Sequence, residues 1–103
     1  MEKFIIKNAE KKDILVILEF IKGLAEYEKL SHQVTVTENL LDKNLFGEKP
    51  VCECIIGYFD DIPVGFALFF HNFSTFVGKP GIYLEDLFVL PQYRGKGFGK
   101  KLL

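Results

Sequence analysis

Between Asp13 and Glu28 the apolar residues Ile14, Ile17, Leu18, Ile21, Leu24 and Ala25 recur at intervals of three and four. That spacing draws one stripe along a 3.6-residue helix, so an amphipathic α-helix is predicted from an Asp13 N-cap to about Tyr27 or Glu28. Ahead of it, Lys3 to Lys7 is a short β-rich run. A second, shorter helix is predicted from about Glu38 to Leu45, with Thr37 as its cap and Gly47 just past its end. After Pro50 the pattern changes to strands. Val51 to Phe59 and Pro63 to Phe70 are β-branched and aromatic runs joined by Asp60-Asp61, which reads as a hairpin. Phe73 to Gly81, carrying Gly78, Pro80 and Gly81, reads as a loop. Ile82 to Leu90 is the third strand of this group. Pro91 ends it, and Gly95, Gly97 and Gly99 lead into a helix predicted from Lys100.

The order is strand, helix, helix, three strands and the start of a helix, which is an α/β pattern with helices covering a sheet. Repeats, low-complexity tracts and linkers are absent, so residues 1–103 read as a single domain. It is expected to be incomplete. A helix of one turn does not meet its own nucleation cost, and a sheet of these strands alone would lack cover on one side and keep a raw edge.

Composition narrows the class. Hydrophobic residues make up 49% of the chain and charged residues 26%, as in a globular protein rather than a disordered one. Eleven Phe, with no Trp and one Met, mean that the core is built from Phe, Ile, Leu and Val. The formal net charge of −1 gives no global basic field for nucleic acid or an anionic membrane, so neither is expected as a partner. Charge is uneven, however. From Gln92 to Leu103 there are four cations (Arg94, Lys96, Lys100 and Lys101) and no carboxylate, a patch sized for a phosphorylated small molecule. Cys52 and Cys54 stand two apart, on one face of a strand; a bridge between them would be strained, and no second Cys/His pair completes a zinc site. Two reduced thiols, no metal and a cytoplasmic setting are therefore expected, with no signal peptide or membrane span read from the chain.

Gln92-Tyr93-Arg94-Gly95-Lys96-Gly97-Phe98-Gly99-Lys100-Lys101 carries the most chemistry. It follows a strand and opens a helix, where glycines admit positive φ and let N–H groups approach an anion near a helix N-terminus. A phosphate or pyrophosphate is the expected ligand. A dinucleotide fingerprint would need glycine at position 100, where Lys100 stands. The Walker A spacing would need it at 94, where Arg94 stands. What fits is R-x-x-G-x-G, with Arg94, Gly97 and Gly99 at its fixed positions.

That loop resembles the acetyl-CoA loop of the GNAT N-acetyltransferase superfamily. Tyr83-Leu84-Glu85-Asp86-Leu87-Phe88-Val89 before it, and Leu24-Ala25-Glu26-Tyr27-Glu28 at the end of the first long helix, resemble the spermidine/spermine and thialysine branch of that superfamily. The resemblance runs from about Phe4 to Leu103. It implies the N-terminal portion of an acyl-CoA N-acyltransferase fold, ending at the start of the cofactor-binding helix.

It also implies roles. Acetyl transfer to an amine is attack on a thioester: the ammonium must lose a proton, the carbonyl oxygen needs a donor, and the departing thiolate benefits from an acid. By resemblance, Glu85 contacts substrate and serves as base. The backbone of Leu87, Phe88 and Val89 bonds the pantetheine arm like an added strand. Arg94, Gly95, Lys96, Gly97, Phe98, Gly99 and Lys100 hold the pyrophosphate, and Tyr27 with Glu28 binds the amine through charge and cation–π contact. Glu85 and Asp86 interrupt an otherwise apolar strand. Simple alternation sets Tyr83, Glu85, Leu87 and Val89 on one face and Leu84, Asp86, Phe88 and Leu90 on the other. Family members continue past this point with a splayed strand and a last helix whose tyrosine is proposed as the acid; Tyr27, Tyr58, Tyr83 and Tyr93 all lie in other motifs. The expectation is thus an acetyl-CoA-dependent N-acetyltransferase of a small cationic amine (a polyamine, a diamine or a thialysine-like amino acid), with a homodimer favoured. A non-catalytic acyl-CoA module and a protein lysine or N-terminal acetyltransferase remain the alternatives. His32 and His71 read as ordinary surface or loop residues.

Overall fold

A computed structural model describes residues 3–103. The elements are β1 (Phe4–Asn8), α1 (Ile14–Tyr27), α2 (Glu38–Phe46), β2 (Glu53–Phe59), β3 (Ile62–Ser74), β4 (Lys79–Val89) and α3 (Phe98–Leu102), with 3-10 turns at Lys11–Asp13, Ser31–Gln33 and Pro91–Tyr93. The four strands form one sheet in the order β1-β2-β3-β4, and every pairing in it is antiparallel. The α/β expectation holds.

Both long helices pack on one face of the sheet. Ile17 and Phe20 of α1 and Leu41 and Leu45 of α2 meet Cys54, Ile56, Phe66, Leu68 and Phe88 in a buried cluster. Aromatic packing knits it: the Phe20 ring centroid lies 5.6 Å from that of Phe66 and 6.0 Å from that of Phe88. Helix α1 comes in close because position 23 is glycine; a Cβ there would stand 2.9 Å from the Phe88 ring. Helix α3 lies on the opposite face, where Phe98 and Leu102 close over Val64, Ala67 and Val89.

Local chemistry confirms the α2 reading and revises that of α1. Thr37 Oγ1 accepts from the Leu40 N–H at 3.2 Å, a standard N-cap. Asp13 is buried at the start of α1 but does not cap it. Its Oδ2 instead accepts from the Glu10 N–H at 2.8 Å, because a 3-10 turn precedes the helix and claims the carboxylate. Helix α3 begins at Phe98, two residues before the expected Lys100.

The hairpin of β3 and β4 is longer than its sequence suggests. Phe73 to Gly81, expected as a loop, is mostly ladder: Asn72 pairs with Gly81, Phe73 with Pro80 and Ser74 with Lys79. The turn is confined to residues 75–78, where Gly78 takes the left-handed φ of 67°. Pro80 is tolerated because β4 ends the sheet order, so a missing N–H there need not break a ladder. Asp60 and Asp61, at φ 50° and 69°, make the tight β2–β3 turn as predicted. His71 sits within β3 rather than in a loop, paired with Glu53 across the strands. Cys54 is buried and Cys52 half-buried, both free, and burial pushes the Cys54 thiol up to about 12, so no reactive thiolate is held there.

A second revision concerns β4. Leu68 pairs with Asp86 and Phe69 with Leu84, so Glu85 is the extra residue of a β-bulge. Simple alternation fails across it. Leu84 and Leu87 lie on the α3 side of the sheet, whereas Tyr83 stacks on Phe70 and shares with Asp86 the side that α1 covers.

Candidate functional site

The site grows from the end of β4. The Leu90 N–H donates to the Val64 carbonyl at 2.8 Å. Antiparallel alternation then turns the peptide groups of Phe88 toward β3 and those of Leu87 and Val89 toward the open edge. Phe88 therefore offers its ring rather than free backbone groups. Beyond Leu90 the chain makes the Pro91–Tyr93 turn, with Arg94 N–H donating to Pro91 O at 3.2 Å, and swings through Gly95 and Gly97 into α3.

Gly95 and Gly97 adopt φ of 83° and 80°, the left-handed region. A Cβ at either would meet nothing within 4 Å. Glycine is needed here for the turn of the backbone and not for room, and the space beside the loop stays open. Phe98 fastens the far end: its ring stacks on Phe4 at 4.2 Å between centroids and contacts Phe59 at 5.2 Å. Its side chain belongs to the core, leaving its backbone as the only part that can serve a ligand.

These pieces border one cleft of about 400 Å³, lined by Leu87, Phe88, Val89, Arg94, Gly95, Gly97, Phe98 and Gly99 together with Leu24 and Tyr27 of α1. Eight of the ten residues assigned to a cofactor from sequence thus surround a single space. The other two stand outside the lining: Lys96 Nζ lies 5.7 Å from the Phe59 ring, and Lys100 is exposed on α3. Leu24 was given no site role from sequence, although it stands in the helical stripe and opens the Leu24–Glu28 segment.

Tyr27 and Glu28 close α1 beside this cleft. One face of the Tyr27 ring is covered by Arg94, whose guanidinium carbon lies 4.5 Å from the ring centroid. Glu28 is the exposed C-cap. Glu85 is exposed at the bulge, and Asp86 beside it is half-buried. Burial raises the Asp86 pKa above its ordinary 3.8, and the carboxylates of Glu85 and Glu28 push it further the same way. Three acids therefore converge where α1 ends against β4. Sequence reasoning singled out Glu85; the perturbed titration belongs to its neighbour.

The sign of that perturbation gives a prediction. A carboxyl whose folded-state pKa is raised holds its proton more tightly when folded, so its contribution favours folding as pH falls through that pKa and is lost above it. Asp86→Asn is expected to leave the melting temperature at pH 7 equal or higher, and to flatten its rise on the acid side of neutrality. Melts of both proteins between about pH 4 and pH 7 decide it; a lower melting temperature for the variant at pH 7 would contradict the assignment.

Among the described residues, no group of three or more His, Cys, Asp or Glu is gathered to hold a metal, and no helix is long and apolar enough to cross a membrane. The model of the acetyltransferase (GNAT) family matches residues 18–103. Thialysine N-epsilon-acetyltransferase of Mus musculus is 40% identical over 106 residues, covering 95% of this chain and 62% of that protein. Spermidine/spermine N(1)-acetyltransferase-like protein 1 of Homo sapiens is 34% identical over 110 residues, covering all of this chain and 16% of its own length. Among solved structures, a predicted acetyltransferase of Clostridium acetobutylicum with acetyl-CoA superposes with a TM-score of 0.77 at 16% identity, over 97% of this chain and 68% of that one, a likeness of fold. The chain thus spans less than two thirds of the mouse relative.

Proposed function

Because the chain belongs to the acetyltransferase (GNAT) family, we propose that its cleft binds acetyl-CoA and that the enzyme it represents transfers the acetyl group to a small cationic amine. The observation that carries the reading is the single cleft of about 400 Å³ joining the free edge of β4 to the two left-handed glycines. An open strand edge suits the amides of a pantetheine arm, through the Leu87 peptide groups and the Val89 N–H. The N–H groups of the Gly95–Lys100 segment suit a pyrophosphate, with Lys96 and Lys100 supplying nearby positive charge. A donor from the same edge would polarise the thioester carbonyl.

The three acids beside the cleft suit the other reactant. Glu28, Glu85 and Asp86 offer negative charge to an ammonium, and Glu85 takes the part of the base that frees its lone pair. The thialysine-acting mouse protein and the spermidine/spermine-acetyltransferase-like human protein point to an amino-acid or polyamine amine as substrate class. A reducing cytoplasm and a homodimeric assembly belong to the same reading, the first supported by Cys52 and Cys54 as free thiols, the second by the family resemblance alone.

Calorimetric titration with acetyl-CoA is the direct test. Saturable heat is expected; no heat from a chain that melts cooperatively would end the cofactor reading. Release of free CoA thiol with thialysine, spermidine and a lysine peptide then ranks acceptors, and a preference for the peptide would move the substrate class to proteins. Glu85→Gln is expected to lower kcat by about a hundredfold or more at neutral pH while acetyl-CoA affinity holds. An unchanged kcat would take Glu85 out of the chemistry.

A further inference from the structure

Arg94 is the one arginine among thirteen cationic side chains. On the reading above its charge would be spent on the cofactor's phosphates. Its contacts lead elsewhere. Nε–H donates to the Val89 carbonyl at 2.8 Å, and the guanidinium carbon stands 4.5 Å from the Tyr27 ring centroid and 5.4 Å from that of Phe88. A planar fork that stacks and donates at once is what arginine supplies and lysine lacks. One side chain thereby ties the end of β4, the glycine loop and the last residue of α1 together.

The tie is also a partition. On one side lies the cleft of about 400 Å³; on the other is a second of about 330 Å³ bounded by Gly23, Glu26, Leu90 and Pro91. Tyr27, Phe88 and Arg94 line both. The Val89 carbonyl faces the open edge, where Arg94 occupies it. A strand-like ligand can pair with a free edge in registers two residues apart, and the slipped register needs an acceptor at that carbonyl. Slippage by two residues would move a thioester about 7 Å along β4.

We propose that Arg94 is a positioning residue: it latches Tyr27 as the wall of the cleft and caps the Val89 carbonyl, so that the pantetheine arm pairs in one register only. The proposal rests on the acetyl-CoA reading of the cleft, and its test separates the two. CoA and pantetheine share the arm and differ in the nucleotide phosphates. Arg94→Met is expected to weaken both by the same factor, about tenfold, and Arg94→Lys is expected not to restore either. A loss confined to CoA, or a full rescue by lysine, would make Arg94 a phosphate ligand and overturn the proposal.

A ligand-free signature completes the test. The single arginine gives one Nε–H resonance, which should be slow to exchange and displaced by the Tyr27 ring, and Tyr27→Leu should abolish both properties. A freely exchanging Nε–H in the unliganded chain would overturn the latch whatever the cleft binds. A protected Nε–H in a folded chain that binds neither ligand would overturn the acetyl-CoA reading, and the register role with it.

Discussion

Gly97→Glu is expected to weaken acetyl-CoA binding by at least about a hundredfold, through a carboxylate set against the phosphates the loop is proposed to hold. The fold should feel it far less. Gly97 has a φ of 80°, and a side chain there would meet nothing within 4 Å, so the cost to stability is conformational strain of about 1–2 kcal/mol. Gly97→Ala carries the same strain without the charge. Titrating both variants separates the two effects: the alanine variant should retain most of the affinity and the glutamate variant almost none. A glutamate variant that binds as tightly as the parent would remove the loop from the cofactor site.

The largest effect on stability is expected from Phe66→Ala. Phe66 is fully buried in β3, with Phe20 of α1 stacked above it. Truncating such a side chain costs about 3–5 kcal/mol, out of about 5–15 kcal/mol for a typical domain. Urea unfolding should show a large fall in the midpoint, or a chain already unfolded in buffer. Leu15→Ala, at a helix position that is 60% exposed, should change stability by less than about 0.5 kcal/mol. Equal effects at the two sites would mean that the Phe20–Phe66 contact does not hold the helix layer to the sheet.

What the sequence disclosed depended on how local the signal was. The α1 stripe and the α2 cap are written in residues three or four apart, and both helices stand within a residue or two of the predicted ends. The glycine loop was legible for the same reason, since its dependence on left-handed backbone shows in residue type alone. The outer half of the β3–β4 hairpin was not. Gly78, Pro80 and Gly81 carry the composition of a loop, yet only Gly78 turns, and the pairing partners that hold Pro80 and Gly81 in a strand lie seven or nine residues back. The bulge at Glu85 was hidden too, because counting alternate positions assumes that every residue has a partner. Asp13 had the right residue type for a helix cap but gave its carboxylate to the turn before the helix. Arg94 was assigned to the glycine loop by its motif and does line the cleft, while its engagement with Tyr27 depends on a helix end more than sixty positions earlier in the chain and is visible only in three dimensions.

The unpaired residue at position 85 makes β4 behave like a message whose reading frame shifts partway through. Downstream of it, odd positions such as 87 and 89 face α3; upstream, even positions such as 84 do. A substitution anywhere along the strand alters one letter. Deleting Glu85 alone would remove the surplus letter and leave every other residue of β4 with its present partner and face. For this strand, then, the one position that the ladder can lose without re-pairing is also the one that carries the carboxylate proposed as base.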